Sequence, residues 1–266
     1  MSGPNEISVE KLHRLIGTPS CPQLIDVRTD DDFADDPRLV PTATKLAHNA
    51  VSPADIATNC VVICQRGAKL SHGVAAVLRN SGKPAVSLEG GFLAWREAQL
   101  PLVPMKIIPA HPNRWVTRHR PKIDRIACPW LIRRFIDPEA QFLFVPPDHV
   151  EGVAQYFNAT PFDMPEGFWT HRGETCSFDT MLEEFCLKTG ALQHMAKIIR
   201  AADTNTLEQA PEAAGLLAIS LGLSRQYSDD LEQLQAGLTI YDALYRWCRD
   251  ATEESHNWPV NAKTKA

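Results

Sequence analysis

The chain has 266 residues, of which 44% are hydrophobic and 22% are charged, and its formal net charge at pH 7 is -5. The length allows one large or two modest domains with proper hydrophobic cores, and the composition is that of an ordinary globular protein. The negative charge argues against general affinity for nucleic acid or for an anionic membrane surface, so neither is expected as a partner.

The N-terminal sequence "MSGPNEISVEKLHRLIG" lacks the apolar core of a signal peptide. No run approaches the roughly 20 apolar residues of a membrane span. The seven cysteines are an odd number without the spacing of a disulfide framework. Reduced thiols and a cytoplasmic location are therefore predicted.

The first part of the chain alternates short strands with helices. "SVEKLHRLIG" predicts a helix with Ser8 as its N-cap and Gly17 as its stop. "QLIDVR" and "CVVIC" are continuous apolar runs that predict buried strands. "LSHGVAAVLRNSG" predicts a helix, and "AVSLEGGFLAWREAQ" predicts a strand, a glycine turn and another helix. This order predicts an α/β fold in which a parallel sheet carries helices on its faces.

A proline-rich segment, "PLVPMKIIPAHP", follows at residues 101–112 and predicts a linker, because proline favours extended backbone and stops helices. We therefore expect a first domain at 1–103, a linker at 104–113, a second domain at 114–256 and a disordered tail at 257–266.

Helices dominate the predicted second domain, which is expected to be α+β and mostly helical. Two strands accompany them, "RWVTR" and "QFLFV". The predicted helices cover residues 123–136, 178–188, 191–203, 211–222 and 229–250.

Cys64 stands at the end of a predicted strand, before the short basic loop "QRGAK" and a helix. Consecutive backbone N–H groups before a helix N-terminus bind anions, and Arg66 and Lys69 would further favour a reactive thiolate. Gly67 permits a sharp turn. A cysteine phosphatase or arsenate reductase needs an arginine six residues after the cysteine, where this chain has Leu70. A sulfur carrier is therefore favoured, and a buried structural cysteine is the alternative.

The segments "LIDVR", "CQRGAKLS" and "LEGGFLAW" resemble the motifs of a rhodanese domain, over about residues 7–101. The resemblance implies a sulfurtransferase in which Cys64 carries a persulfide and no cofactor is required. It implies a small thiosulfate-like sulfur donor and a thiophilic acceptor as partners. It also implies that Asp26 and Arg28 form an ion pair beside the site, and we group them with the substrate-binding residues. The loop residues expected to hold the substrate are Gln65, Arg66, Gly67, Ala68 and Lys69.

Five arginines lie close together in "RHRPKIDRIACPWLIRR". They suit either a solvated surface or an oxyanion pocket, for which the candidates are Arg118, Arg125 and Arg133. A helix is expected to begin near Asp124 as its N-cap, with Pro129 requiring a local adjustment or a later start.

The segment "THRGETCSFDTMLEEF" concentrates side chains that can bind metals. If a helix starts at Asp179, the carboxylate of Glu183 lies one turn further along the same face. We expect a divalent metal at this segment, although His171 could instead form a structural hydrogen bond with Asp124 or Asp203. The candidate ligands are His171, Cys176, Glu183 and Asp203.

Residues from about 114 to 248 resemble the C-terminal domain of chromate-resistance proteins of the ChrB type. The resemblance rests on "RPKIDRIACPWLIRRFID", "FLFVP", "PFDM" and "THRGETCSFD". Together the two resemblances imply a cytoplasmic sulfurtransferase fused to a chromate-resistance domain, acting in chromate or oxidative stress or in sulfur handling. The alternative is a non-catalytic sensor that responds to chromate or to a metal.

Overall fold

The N-terminal half alternates strands and helices, in a computed structural model that describes residues 3–56, 59–109 and 113–254. Strands β1, β6, β5, β2 and β4, in that order, form a five-stranded sheet in which every pairing is parallel. The expected α/β sheet with flanking helices is therefore confirmed. The elements are β1 (Glu6–Ile7), α1 (Val9–Leu15), β2 (Gln23–Asp26), α2 (Asp30–Asp35), β3 (Arg38–Leu39), β4 (Thr44–Lys45), β5 (Cys60–Ile63), α3 (Lys69–Asn80), β6 (Ala85–Leu88), α4 (Gly91–Glu97) and β7 (Val103–Pro104).

The central strand β5 is buried at every position, which explains why it appears in the sequence as an unbroken apolar run. Ser8 caps α1 as predicted, since its side chain accepts a hydrogen bond from the backbone N–H of Lys11 at 3.3 Å. β3 and β7 pair with each other in a small antiparallel ladder beside the main sheet.

The C-terminal half is mostly helical, as expected. Its strands form a three-stranded parallel sheet in the order β10-β8-β9, of which the sequence predicted β8 and β9. The helix predicted to reach residue 188 ends at Glu184, and the one predicted to end at 222 continues to Gln226. The elements are β8 (Arg114–Arg118), α5 (Asp124–Phe135), β9 (Gln141–Val145), α6 (Val150–Phe157), β10 (Thr160–Pro161), α7 (Ser177–Glu184), α8 (Gly190–Asp203), α9 (Ala213–Gln226) and α10 (Asp230–Asp250).

The two halves share one hydrophobic core, which contains Leu12 and Trp95 from the first half and Phe135 and Tyr245 from the second. Gly17 lies at this contact: a Cβ added to it would lie 2.5 Å from Phe135 Cζ and 2.7 Å from Tyr245 Cε1. The halves are therefore packed against each other and not merely joined by the chain between them.

Part of the predicted linker, residues 110–112, and the whole predicted tail, 257–266, lie outside the described residues. Within the predicted linker the chain forms the end of β7 and one short 3-10 turn, Met105–Ile107. Among the helices that the structure describes, none has the length and apolar character needed to cross a membrane.

Candidate functional site

Cys64 directly follows β5 at the carboxyl end of the parallel sheet, and α3 begins five residues later. Its Sγ accepts a hydrogen bond from the backbone N–H of Ala68 at 3.2 Å and lies 3.1 Å from the hydroxyl oxygen of Ser71. The residue is only 4% exposed. The sulfur is therefore buried near the start of a helix, where an N–H donor and a hydroxyl can stabilise negative charge.

The Ser71 hydroxyl can form a hydrogen bond with Cys64 both as a thiol and as a thiolate. It also lies 3.2 Å from the carbonyl oxygen of Ala68, to which it can donate its proton when the Cys64 thiol donates to Ser71. When Cys64 is a thiolate, the same hydroxyl can turn and donate to the sulfur. Ser71 was not predicted as a site residue, although it is the last residue of the motif "CQRGAKLS".

Two glycines fix the shape of this loop. Gly67 and Gly91 have φ angles of +61° and +62°, which side chains other than glycine rarely adopt. A Cβ on Gly91 would lie 2.2 Å from the carbonyl oxygen of Cys64, so nothing larger than glycine fits. The N-terminus of α4 then holds the loop, because the N–H of Phe92 donates to that same carbonyl at 2.9 Å.

The other residues of the loop differ in their exposure to solvent and in their contacts. Arg66 and Lys69 are exposed, so both cations are available to a ligand that approaches from solvent. Gln65 presents a buried Oε1 that has no hydrogen-bond partner among the described residues. Leu70, at the position where a phosphatase needs arginine, packs against an apolar cluster that includes Val62 of β5 and Leu78 of α3.

Asp26 and Arg28 form the ion pair that the resemblance implies, and both side chains are fully buried. Their charged atoms lie 2.7 Å apart, and Arg28 also donates to the carbonyl oxygens of Asp36 and Arg38. The guanidinium lies 3.7 Å from the ring centroid of Phe92, at the start of α4. The pair therefore ties the end of β2 to the segment at Asp36 and Arg38 and to the start of α4. Its hydrogen bonds are made to other groups of the protein.

A second constellation surrounds His171 in the C-terminal half. Its Nε2 lies 3.5 Å from Asp124 Oδ2, 3.4 Å from Asp163 Oδ1 and 3.3 Å from Asp203 Oδ2. We call these four residues the histidine cluster. Asp124 begins α5, Asp203 ends α8, Asp163 follows β10, and His171 lies in the loop before α7.

Asp124 was expected to cap α5, and this was wrong: Ile123 is the N-cap and Asp124 is the first helical residue, despite Pro129 in the helix interior. The Asp124 carboxylate instead accepts a hydrogen bond at 2.6 Å from the backbone N–H of Ser177, at the start of α7. The Ser177 hydroxyl donates to Asp163 Oδ1 at 2.8 Å. Ser177 thus holds two aspartates of the cluster in place.

The charges of the cluster strongly affect one another. Hydrogen bonds to Asp124, Asp163 and Asp203 raise the pKa of His171 to about 12, so these carboxylates favour a protonated imidazole at neutral pH. Burial raises the pKa of Asp124 to about 6. Burial acts in the same direction on Asp163, but its hydrogen bonds from His171 and Ser177 and the nearby arginines lower its pKa overall.

The oxyanion candidates do not converge on one pocket. Arg118 and Arg125 both contact Asp163 Oδ2, at 3.0 Å and 3.3 Å, so they neutralise a carboxylate. Arg133 lies elsewhere, where it donates to the carbonyl oxygen of Ala140 and its guanidinium lies 5.1 Å from the ring centroid of Phe142.

The structure brings two of the four predicted metal ligands together, His171 and Asp203. Cys176 is buried and its thiol donates to Asp179 Oδ2 at 3.3 Å. Glu183 has a side chain that is 64% exposed and lies 3.8 Å from Arg172. Asp179 and Glu183 both lie on α7, where Asp179 accepts from the backbone N–H of Cys176 and pairs with Arg200, so neither carboxylate joins the histidine cluster.

Comparisons with known proteins identify both halves. The family model of the ChrB C-terminal domain matches residues 115–248, and that of the rhodanese-like domain matches residues 8–98. A curated relative, Protein ChrB of Cupriavidus metallidurans, is 35% identical over 135 residues, which are 50% of this chain and 40% of that protein. The chain thus spans less than half the length of this relative.

Solved structures resemble the N-terminal half. A rhodanese-like domain protein from Staphylococcus aureus is 26% identical, with a TM-score of 0.30, over 34% of this chain and 90% of that chain. The thiosulfate sulfurtransferase from Pseudomonas aeruginosa is 24% identical, with a TM-score of 0.31, over 37% of this chain and 19% of that chain.

Proposed function

The chain belongs to the ChrB C-terminal domain family through residues 115–248 and carries a rhodanese-like domain at residues 8–98, and on this basis we propose that it is a sulfurtransferase that acts in chromate resistance. The observation that carries the proposal is the environment of Cys64. Its sulfur accepts the N–H of Ala68 at 3.2 Å and lies within 3.1 Å of the Ser71 hydroxyl, at the start of α3. This arrangement suits a sulfur atom that carries negative charge during turnover.

The proposed reaction has two steps. The Cys64 thiolate attacks the outer sulfur of a thiosulfate-like donor, a new S–S bond forms on the protein, and sulfite leaves with the electron pair of the broken S–S bond. An acceptor with a nucleophilic carbon or sulfur then attacks the terminal sulfur, and Cys64 leaves as a thiolate. The loop N–H groups and the exposed Arg66 and Lys69 would hold the donor, and neither step needs a metal or a cofactor.

The C-terminal half connects this chemistry to chromate only through its family, since the relative it matches is a ChrB protein. A reducing compartment such as the cytoplasm is part of the proposal, and the seven cysteines, all free thiols, support it. The competing proposal is a sensor in which neither half turns over a substrate.

Intact-mass spectrometry of the purified chain after incubation with thiosulfate tests the proposal. We expect one added sulfur atom in the wild type and in Cys186→Ser, which changes an exposed cysteine, but none in Cys64→Ser. Thiosulfate:cyanide turnover should follow the same pattern. A persulfide in Cys64→Ser, or none in the wild type, would contradict the role of Cys64. Unchanged chromate tolerance of cells that express Cys64→Ser would support the sensor.

A further inference from the structure

The histidine cluster has the geometry of a metal site, and we propose that Asp124, Asp163 and His171 bind one divalent cation. One ligand atom from each of these residues lies within 4.8 Å of the other two. A set of one imidazole and two carboxylates suits zinc, manganese or iron(II), with zinc bound more tightly than manganese. This proposal is independent of the sulfurtransferase function.

The distances in the cluster are those between metal ligands. Four ligands that lie 2.0–2.1 Å from a tetrahedral zinc ion are separated from one another by about 3.3–3.4 Å. His171 Nε2 lies 3.5 Å from the Asp124 oxygen and 3.4 Å from the Asp163 oxygen. Both separations are longer than the usual N–H···O distance of about 2.7–3.2 Å and close to the separation of zinc ligands.

A separate observation on the Asp124 carboxylate also favours a cation at this site. Asp124 is 1% exposed, and its Oδ1 has no hydrogen-bond partner among the described residues. A buried carboxylate oxygen without a donor is costly, and a cation that binds this carboxylate would compensate for it. The unpartnered oxygen belongs to the same carboxylate that faces His171.

The net charge around the cluster favours a cation when the imidazole is neutral, as a metal ligand must be. Three carboxylates, of Asp124, Asp163 and Asp203, then face the two guanidinium groups of Arg118 and Arg125, so among the described residues one negative charge is left over for a cation to balance.

The site is held by its surroundings. Ser177 donates its backbone N–H to Asp124 and its hydroxyl to Asp163, so one residue fixes the separation of two ligands. Asp203 approaches His171 to 3.3 Å but does not belong to the set of atoms within 4.8 Å of one another. We therefore assign Asp203 a supporting role, and the three ligands leave a position for water or a small anion.

Zinc titration of the full chain, stripped of metal with a chelator and dialysed, tests the proposal by calorimetry and elemental analysis. We expect one zinc ion per wild-type chain. His171→Gln and Asp163→Asn should weaken zinc binding by at least about 100-fold, and Asp203→Asn by about tenfold. Glu183→Gln is the matched control and should bind zinc like the wild type, because its exposed side chain lies near Arg172 and outside the site.

Thermal unfolding shows whether each variant is folded and gives a second measurement of binding. Zinc should raise the melting temperature of the wild type and of Glu183→Gln, but not that of His171→Gln, whose side chain is 39% exposed in the wild type. Equal zinc binding by wild type and folded His171→Gln would overturn the assignment. So would a wild-type chain that binds no stoichiometric zinc, or loss of zinc binding in Glu183→Gln.

Discussion

The backbone N–H of Thr42 donates a hydrogen bond to the carbonyl oxygen of Phe135 at 2.9 Å, and this bond joins the two halves of the chain. Phe135 is the last residue of α5, where carbonyl groups lack partners within the helix. The rhodanese-like half therefore completes the end of a helix in the ChrB half. Together with the shared core, this bond predicts that the halves unfold as one cooperative unit.

Gly17→Ala should destabilise both halves together. Gly17 has a φ angle of +80°, and an added Cβ would overlap the rings of Phe135 and Tyr245. Gly82→Ala is a matched control, because Gly82 has a φ angle of +77° but open space around it. The backbone strain costs about 1–2 kcal/mol in either variant, and we expect the overlap at Gly17 to add about 1–3 kcal/mol. Urea unfolding followed by tryptophan fluorescence measures both values, and equal losses would contradict the packing.

Ser71→Ala should slow sulfur transfer without loss of the fold. The Ser71 hydroxyl lies 3.1 Å from Cys64 Sγ, and a hydrogen bond to a charged group contributes about 1.5–3 kcal/mol. We expect kcat/KM for thiosulfate to fall by about tenfold or more. Ser81→Ala, at the other end of α3, removes a hydroxyl that bonds only the Val77 carbonyl and should leave kcat/KM unchanged. Equal rates for both variants would remove Ser71 from the site.

Gly91→Ala should abolish sulfur transfer, because its Cβ would lie 2.2 Å from the Cys64 carbonyl oxygen and 2.3 Å from the Gly67 nitrogen. The loop would have to move away from α4, and the hydrogen bond from the Ala68 N–H to the sulfur would be disturbed. Gly82→Ala again provides the control, since it imposes similar backbone strain far from contacts. Persulfide formation measured by intact mass distinguishes the two, and full activity of Gly91→Ala would show that the loop tolerates the change.

His13 should make the chain less stable as the pH falls. Burial lowers the pKa of His13, which packs edge-on against Trp95, and the charge of Arg249 lowers it further. An unfolded histidine binds a proton at pH values below about 6.5, where the folded one is still neutral. This contribution to stability is therefore present above about pH 6.5 and is lost as the pH falls towards the folded pKa.

Urea midpoints at about pH 7 and about pH 5.5 measure this effect. The difference between the two midpoints should be smaller in His13→Gln than in the wild type. His149→Gln, in which the changed histidine is exposed, should keep the wild-type difference. An unchanged difference in His13→Gln would show that other groups cause the loss of stability in acid.

The sulfur-carrier loop could be predicted because all of its parts are adjacent in the sequence. Cys64, the loop glycine and the helix start directly follow an apolar run, and in a parallel α/β sheet binding sites lie at the carboxyl ends of such strands. The elements with strong apolar patterns were also predicted, and α6 was missed as a short helix with only one buried residue, Val150. The local sequence pattern was therefore sufficient to predict a strand, a helix or a loop whose residues are adjacent in the chain and strongly patterned.

The histidine cluster could not be predicted as a set, because its members come from four separate places in the chain. Asp163 follows a two-residue strand and has a φ angle of +52°, so no periodic pattern identifies it, although the quoted motif "PFDM" contains it. Proximity in sequence favoured Cys176 and Glu183 as partners of His171. In the structure neither Cys176 nor Glu183 joins the cluster. The residue of this segment that contacts the aspartates is Ser177, at the start of α7, which bonds to Asp124 and Asp163.

Helix α5 runs from the histidine cluster to the other half of the molecule. Its 12 residues correspond to a length of about 18 Å, with Asp124 at one end and Phe135 against Gly17 and Thr42 at the other. Pro129 stands near the middle, where it removes one backbone hydrogen bond and concentrates any bending at a single point. Helix α5 therefore connects the histidine cluster to the rhodanese-like half through one continuous element, with Asp124 in the cluster and Phe135 in the contact between the halves.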